Sequence, residues 1–353
     1  MKRALFFVAL CSFLTLTGAC GHRGSPSPPL PRIPAAPRDA EWRQRGDRIE
    51  VSARYPLRTL EGAPLRAPVR PVALVLAVRG GDTSGWDGPA RETEFERGAM
   101  RVPLAPFEDG ARTRDVERID ALPLDKLPPA TFVLAAALGD KRSRSFASPR
   151  IPFAPLRPGL RGVPALAASP EETGVRLRWT APEDARAKAV RIYRARGAEP
   201  FAWRPWRTAP AGAKELFDDE ARYGDDLRYA ATYGAEEKQD PPVESEPGAA
   251  ATVAYRDVFP PRPPQQVDAA PETRRVRVFW YPGGSADEAK AIVERQLEGK
   301  DAWVEVGAVE TPESFFVDAD AESGRRRYRV IAVDKAGNRA APAGPTDWVA
   351  PRP

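Results

Sequence analysis

A short alternating stretch that occurs twice is the feature that most constrains the fold. The sequences Val-Arg-Leu-Arg-Trp at 175–179 and Val-Arg-Val-Phe-Trp at 276–280 each place three apolar side chains on one face of an extended strand. In both copies a tryptophan ends the buried face. A strand of this kind that recurs at the spacing of one domain predicts tandem β-sandwich modules.

The composition favours an all-β chain. Forty prolines in 353 residues oppose long helices and suit many short strands joined by turns or linkers. Removal of residues 1–19, which hold Lys2 and Arg3 and no acid, would lower the formal charge from +5 to +3. An excess this small, spread along the chain, does not form the basic face that nucleic-acid binding requires.

The first twenty residues have the pattern of an export signal. Lys2 and Arg3 precede an apolar run at 4–16 that is too short to anchor the chain across a bilayer. The run ends in Leu-Thr-Gly-Ala-Cys, which resembles the lipobox of bacterial lipoproteins. The resemblance implies cleavage after residue 19, attachment of acyl chains such as palmitate at Cys20, and, because Gly21 follows, transfer to the outer membrane. The alternative is an ordinary secretory signal with an incidental cysteine.

Residues 20–39 follow the signal and contain six prolines with serine and glycine between them. Such a segment cannot bury a core and predicts a stiff, extended tether. Its PxxP-like pattern is also compatible with a peptide ligand, but a spacer fits an exported chain better.

Residues 40–157 have the least regular pattern. Strands are predicted at 48–54, 72–78 and 131–138, with a return strand near 145–151 after a turn. A glycine-rich stretch at 80–88 predicts a long loop. This region is interpreted as a divergent β-sandwich.

The rest of the chain is a repeat, with modules at 160–257 and 262–353. The stretch 287–297 also has helical apolar spacing, but its counterpart at 190–194 alternates cleanly, so a strand is predicted. The residues that correspond in the two modules are Trp179 and Trp280, Arg194 and Arg295, Trp203 and Trp303, Asp218 and Asp318, and Tyr229 and Tyr328.

The stretch Tyr-Arg-Val-Ile-Ala-Val-Asp-Lys-Ala-Gly-Asn at 328–338 resembles the penultimate strand and turn of bacterial fibronectin type III domains. The Phe-Pro-Pro boundary at 259–261 and the tryptophan strands are similar to that family as well. The resemblance covers roughly the last 190 residues and implies two immunoglobulin-like sandwiches there. With the divergent sandwich at 40–157, the predicted fold class is all-β with three tandem immunoglobulin-like sandwiches. The family's corner tyrosine is replaced here by Leu227 and Arg326, which predicts that the corner hydrogen bond is absent and that apolar contacts close the core.

The predicted modules contain no histidine and no cysteine, two of the residue types that most often act in catalytic or metal sites. His22 is the only histidine and both cysteines lie within the first twenty residues, so the modules have neither a Ser-His-Asp triad nor a cysteine nucleophile. Asp318, Asp320 and Glu322 have alternating acidic spacing, but calcium needs six or more oxygens. Their counterparts at 218–220 favour a solvated turn. No metal and no cofactor is predicted.

Two tryptophans without a counterpart in the repeat, Trp86 and Trp206, are the candidate ligand-surface residues. The alternative is that they cover a sheet edge. The sequence therefore predicts a membrane-anchored, noncatalytic lipoprotein of the cell envelope that acts as a spacer or protein-interaction module. The alternatives are a carbohydrate-binding accessory lipoprotein and, since acidic pairs are available, an envelope hydrolase.

Overall fold

The computed structural model describes residues 33–65, 69–107, 115–139, 145–236, 241–319 and 324–353. Cys20 and the tether up to residue 32 lie outside these ranges. The chain divides into two compact units, one containing residues 33–42 and 49–154 and the other residues 43–48 and 155–353. The helices within the described residues are too short or too polar to cross a lipid bilayer.

The first unit begins with β1 (Arg38–Arg45) and continues with β2 (Arg48–Tyr55), β3 (Arg70–Val78), β4 (Met100–Pro103), β5 (Val116–Pro123), β6 (Thr131–Gly139) and β7 (Ile151–Phe153), with 3-10 turns at Pro89–Arg91 and Leu124–Lys126. Its described residues form two layers of strands. In one, β3 and β6 lie at the centre with β4 and β7 at the edges, and in the other β2 lies beside β5. A seven-residue helix, α1 (Glu92–Gly98), is an addition that the sequence did not indicate.

Three of the four strands predicted in this unit are confirmed, and the fourth is displaced. The return strand predicted near 145–151 is β7, which starts only at Ile151. The serines before it interrupt the regular ladder, because Ser145 and Ser148 accept hydrogen bonds through their hydroxyl oxygens from the backbone of β6, at 2.8 and 2.9 Å. Short polar side chains that bond to the backbone compete with a strand ladder in this way.

The second unit contains the two repeated modules. The first consists of β8 (Leu166–Glu171), β9 (Gly174–Trp179), β10 (Ala189–Arg196), β11 (Arg207–Pro210), β12 (Glu215–Asp218), β13 (Asp226–Gly234), β14 (Val243–Glu244) and β15 (Ala251–Ala254). The second consists of β16 (Gln265–Glu272), β17 (Arg275–Tyr281), β18 (Glu288–Leu297), β19 (Val304–Glu310), β20 (Phe315–Asp318) and β21 (Arg326–Asp334).

Both modules have the same strand order. One sheet is β8-β9-β12 in the first module and β16-β17-β20 in the second, and the other sheet places β10 or β18 between its two neighbours. Trp179 and Trp280 are buried between these sheets, as the alternating pattern predicted. The predicted fold class, all-β with tandem immunoglobulin-like sandwiches, is therefore confirmed.

The stretch with helical spacing at 287–297 is a strand. β18 pairs with β19 on one side and with β21 on the other. Its apolar residues are buried on both faces, since Ala291 and Val293 face the core while Ile292 packs with Ile331 and Val333. A strand covered on two faces loses its alternation, which explains the ambiguous pattern.

The segment Arg43–Arg48 belongs with the second unit, although it lies before the predicted boundary at residues 157–160. Gln44 and Arg45 pair in parallel with β14. The Gln44 amide donates to the carbonyl oxygen of Leu156 at 2.7 Å, and Asp47 accepts from the Gly159 backbone at 2.9 Å. The sheet of the first repeated module is thus extended by a segment that is distant in sequence.

Candidate functional site

Trp86 does not lie on the surface. It is 5 % exposed and packs in the core of the first unit with Leu74 and Phe95. The glycine-rich loop that carries it folds inward, and its carbonyl oxygen accepts a hydrogen bond of 2.7 Å from Arg150. The prediction that Trp86 presents a ligand surface is therefore wrong, because the loop carries a core residue.

Trp206 is half-buried against the core of the first repeated module. The guanidinium carbons of Arg194 and Arg207 lie 4.3 and 5.1 Å from the centre of its ring. Its indole nitrogen donates to Glu220 at 3.3 Å. Hydrogen bonds from Arg194 and Trp206 lower the pKa of Glu220. These contacts make Trp206 part of the sheet's own packing and do not present its ring to a ligand.

A buried polar triad recurs in the two repeated modules. Asp218 accepts a hydrogen bond of 2.6 Å from the Tyr229 hydroxyl, and Arg194 donates to both of its oxygens, at 2.8 and 3.0 Å. In the last module Asp318 takes the same bonds from Tyr328 and Arg295. Both aspartates are buried. The prediction of a solvated turn is therefore wrong for these two residues.

The triad explains how the sandwiches close without the corner tyrosine. Leu227 and Arg326 stand at the corner positions and are both buried. The prediction that apolar contacts replace the corner bond is wrong, because the tyrosine two positions later supplies a hydrogen bond to the opposite sheet. The repeat pairs all three members between the two modules, and this correspondence is the signal in the sequence for a shared polar cluster.

Calcium ligation through Asp318 is disfavoured by its position. Both carboxylate oxygens accept hydrogen bonds from Arg295, and one also accepts from Tyr328. Asp320 and Glu322, the other residues of that hypothesis, lie outside the described residues. Burial and the bond to Asp318 raise the pKa of Tyr328. The triad is a structural element, and the Tyr328 hydroxyl keeps its proton near neutral pH.

An open cleft of about 740 Å³ lies at one end of the first repeated module and is lined by Thr180, Glu183, Asp184, Arg186 and Tyr233. Arg186 donates to both oxygens of Asp184, at 2.9 and 2.7 Å. This bonding holds the pKa of Asp184 well below its usual range. A carboxylate held in this way is a poor general acid.

Three exposed aromatic side chains share one sheet face of the last module. Phe279 is 40 % exposed, Tyr281 64 % and Phe315 45 %. Phe279 lies directly opposite Phe315 on neighbouring antiparallel strands, and Tyr281 follows on the same side of β17. We call these three residues the aromatic face. Exposed rings clustered on one surface are typical of binding sites.

An ion pair occupies the equivalent surface of the preceding module. Arg178 and Glu215 occupy the positions of Phe279 and Phe315 and lie in the same register. Their side chains form an ion pair of 3.1 Å. The preceding module therefore has a charged pair on this exposed surface, whereas the last module has an aromatic pair at the same two positions.

The aromatic face has charged neighbours that neutralise each other. Arg275 and Arg277 both bind Glu272 on the adjacent strand. The Arg277 guanidinium carbon lies 5.5 Å from the centre of the Phe315 ring. Glu272 accepts hydrogen bonds from both arginines, and its pKa lies below the usual value although partial desolvation opposes the shift. The surface thus offers apolar contact and ring stacking beside compensated charge.

No protein-family model and no curated protein sequence matches the chain. Among solved structures, the chain is similar to the FN1-FN3 domains of chicken CNTN1, with 10 % identity and a TM-score of 0.27, over 91 % of this chain and 100 % of that one. It is also similar to titin kinase and its flanking domains, with 22 % identity and a TM-score of 0.24, over 26 % of this chain and 17 % of that one. Because both TM-scores are low, the fold assignment rests on strand order and pairing.

Proposed function

We propose that the chain is a membrane-anchored lipoprotein of the bacterial cell envelope, held at the outer membrane through Cys20. Its sandwich modules act without catalysis, as a spacer that carries a protein-interaction surface. The observation that carries this proposal is the aromatic face of the last module. In the preceding module an ion pair occupies the positions of Phe279 and Phe315. The fold therefore does not require aromatic residues at these positions of the last module.

The anchor is supported by the sequence at 16–21. A lipobox-like end to a short apolar run, followed directly by a proline-rich segment, fits a chain that is acylated at Cys20 and extends away from the bilayer. Two or more acyl chains give durable attachment, whereas one gives marginal binding.

A protein partner suits the aromatic face for energetic reasons. Binding energy at protein interfaces is concentrated in a few aromatic and arginine side chains near the centre of the contact. Phe279, Tyr281 and Phe315 with the neighbouring Arg277 supply such a group. The compensated charge around them favours a partner whose contact surface is apolar at its centre.

Carbohydrate binding is the second candidate, because three rings on one sheet face can stack against the apolar faces of sugar rings. This function would need the rings themselves and would tolerate little change in Tyr281, which is the most exposed of the three. A protein partner would depend more on the central pair, Phe279 and Phe315.

The test replaces the aromatic pair with the ion pair of the preceding module, as Phe279→Arg with Phe315→Glu. Envelope proteins and envelope polysaccharide from the bacterium that encodes the chain are presented separately to the immobilised full-length protein. We expect a defined protein to bind the wild type and to bind the double variant about thirtyfold more weakly, as the loss of an interface hot spot predicts.

Val304→Thr is the matched control, since Val304 is an exposed apolar residue of the same module but lies on the other sheet. Binding that survives the double substitution would contradict the aromatic face as the interaction surface. Binding of polysaccharide in place of protein, lost in Tyr281→Ala, would establish the second candidate instead.

A further inference from the structure

Three aspartates from separate segments converge at one end of the last module. Asp257 lies in the segment that joins the two repeated modules, Asp287 directly precedes β18, and Asp334 ends β21. One carboxylate oxygen of each lies within 4.8 Å of one oxygen of each of the others. None of the three forms an ion pair with an arginine or lysine among the described residues. Such a concentration of negative charge is unfavourable without a cation nearby.

A fourth acid is buried beside them. Glu288 is only 8 % exposed, and its side chain forms no hydrogen bond or ion pair with any described residue. The strand register places it opposite Asp334, so the two side chains leave the same face of the sheet. A buried carboxylate without a partner is costly unless something outside the chain compensates it.

In the preceding module an arginine side chain supplies the positive charge at the corresponding position. Arg186 and Asp287 are corresponding residues, each seven positions after the module's buried tryptophan. Arg186 binds Asp184 at 2.7 Å and donates to the carbonyl oxygens of Pro158 and Gly159, at 2.8 and 3.1 Å. It therefore joins the loop to the segment that enters the module. In the last module an acid stands where this guanidinium would be.

We propose that a calcium ion binds between Asp257, Asp287 and Asp334, with Glu288 contributing a fourth negative charge. The ion takes the place that Arg186 fills in the preceding module and links the connecting segment to the loops at the end of the last module. Asn338 now donates from its amide nitrogen to Asp257 and Asp334. A half-turn of this amide would present its oxygen as a further ligand.

The number of carboxylates favours calcium over magnesium. Calcium binds carboxylate, carbonyl and water oxygens at about 2.3–2.6 Å, whereas magnesium keeps several of its waters and usually binds only one or two carboxylates. The three carboxylates each bring an oxygen within 4.8 Å of the others, and two ligands of one calcium ion can lie that far apart. Backbone oxygens and water would complete the six to eight ligands that calcium usually takes.

The test is calorimetric titration of the full-length protein, freed of metal with EDTA, with calcium chloride and separately with magnesium chloride. We expect one calcium ion to bind with a Kd on the order of 10⁻⁴ M or lower, and magnesium to bind more weakly. Asp287→Asn should weaken calcium binding about tenfold or more. The control is Asp301→Asn, because Asp301 is an exposed acid of the same module, and its binding should equal that of the wild type.

A second variant keeps the proposal falsifiable if Asp287→Asn does not fold. Asp287→Arg introduces the guanidinium of the preceding module and should raise the thermal midpoint in EDTA above that of the wild type, with no further rise in calcium. The proposal is overturned if calcium does not bind, if Asp287→Asn binds it as the control does, or if Asp287→Arg retains the calcium response.

Discussion

The hydroxyl of Tyr328 donates to the carboxylate of Asp318 at 2.7 Å, and the hydroxyl of Tyr229 donates to Asp218 at 2.6 Å. In each module the bond joins a strand of one sheet, β13 or β21, to an edge strand of the other, β12 or β20. Because both aspartates are buried and also bind an arginine, the two bonds hold the sheets of a sandwich together at a fixed point.

Removal of the hydroxyl at this point should be costly. Tyr328→Phe leaves a buried carboxylate with one donor fewer, and hydrogen bonds to charged groups contribute about 1.5–3 kcal/mol to stability. We expect a loss of that size in the free energy of unfolding of the last module, measured by urea denaturation. Tyr281→Phe is the control, since Tyr281 is exposed on the same module and its hydroxyl should be dispensable for stability. Equal stability of the two variants would show that the bond to Asp318 contributes nothing.

Alkaline pH should weaken the modules through the same tyrosines. Burial and the bonded aspartate raise the pKa of Tyr229 and of Tyr328 above 10.0. The unfolded chain therefore loses these protons first, so their contribution is complete below about pH 10 and is lost as the pH rises further. We expect the denaturation midpoint to fall from about pH 9 to about pH 11, and to fall less steeply in the double variant Tyr229→Phe/Tyr328→Phe. Parallel pH profiles for the two proteins would refute this account.

The sequence predicted the modules well because their strands are half-buried and alternate, as at 175–179 and 276–280. It failed where burial depended on contacts distant in sequence. Trp86 lies in a glycine-rich stretch, and nothing local indicates that the loop folds into the core. Asp218 and Asp318 lie in acidic stretches that are typical of a turn. Their burial depends on an arginine and a tyrosine from other strands.

Only part of the aromatic face can be predicted from the sequence. Alternation along 276–280 places Phe279 on the opposite side of its strand from Trp280, and the repeat makes Arg178 its counterpart. The missing fact was the register of the neighbouring strand, which places Phe315 beside Phe279 and Glu215 beside Arg178. Strand register is set by pairing across the sheet and cannot be determined from one strand alone.

Substitution of Glu244 tests how much the contacts of the segment Arg43–Arg48 contribute to the stability of the second unit. Its buried carboxylate accepts hydrogen bonds from Tyr193 at 2.7 Å, from Thr232 at 3.1 Å and from Arg45 at 3.0 Å. Glu244→Ala removes the acceptor and leaves buried donors and charge, so a loss of about 3–5 kcal/mol is expected. Chemical denaturation followed by tryptophan fluorescence would measure it.

The matched control for this prediction lies two residues away. Glu246 pairs with Arg48 at 3.0 Å, but the two side chains are 42 and 39 % exposed. Glu246→Ala should therefore cost about 0–1 kcal/mol. If the two substitutions had similar effects, the buried network around Glu244 would not be a significant source of stability.

Gly174 marks a close approach between two strands of the first repeated module. A methyl group at this position would collide with the backbone carbonyl of Asp218, whereas one at Gly212 would meet no atom within 4 Å. We expect Gly174→Ala to lower the free energy of unfolding by about 1–3 kcal/mol. Gly212→Ala should leave it unchanged or slightly raised. A comparison of the two thermal midpoints checks the prediction, and a silent Gly174→Ala would contradict the packing of β9 against β12.

The proposed function depends most on the lipid at Cys20, since the anchor decides where the modules act. The direct measurement is the intact mass of the protein purified from membranes of a bacterium that expresses the full chain, beside Cys20→Ala. We predict a mature chain that begins at Cys20 and carries the mass of a diacylglycerol group with further acylation, while Cys20→Ala carries no lipid and leaves the membrane fraction. An unmodified wild-type chain, found free of the membrane, would contradict the account.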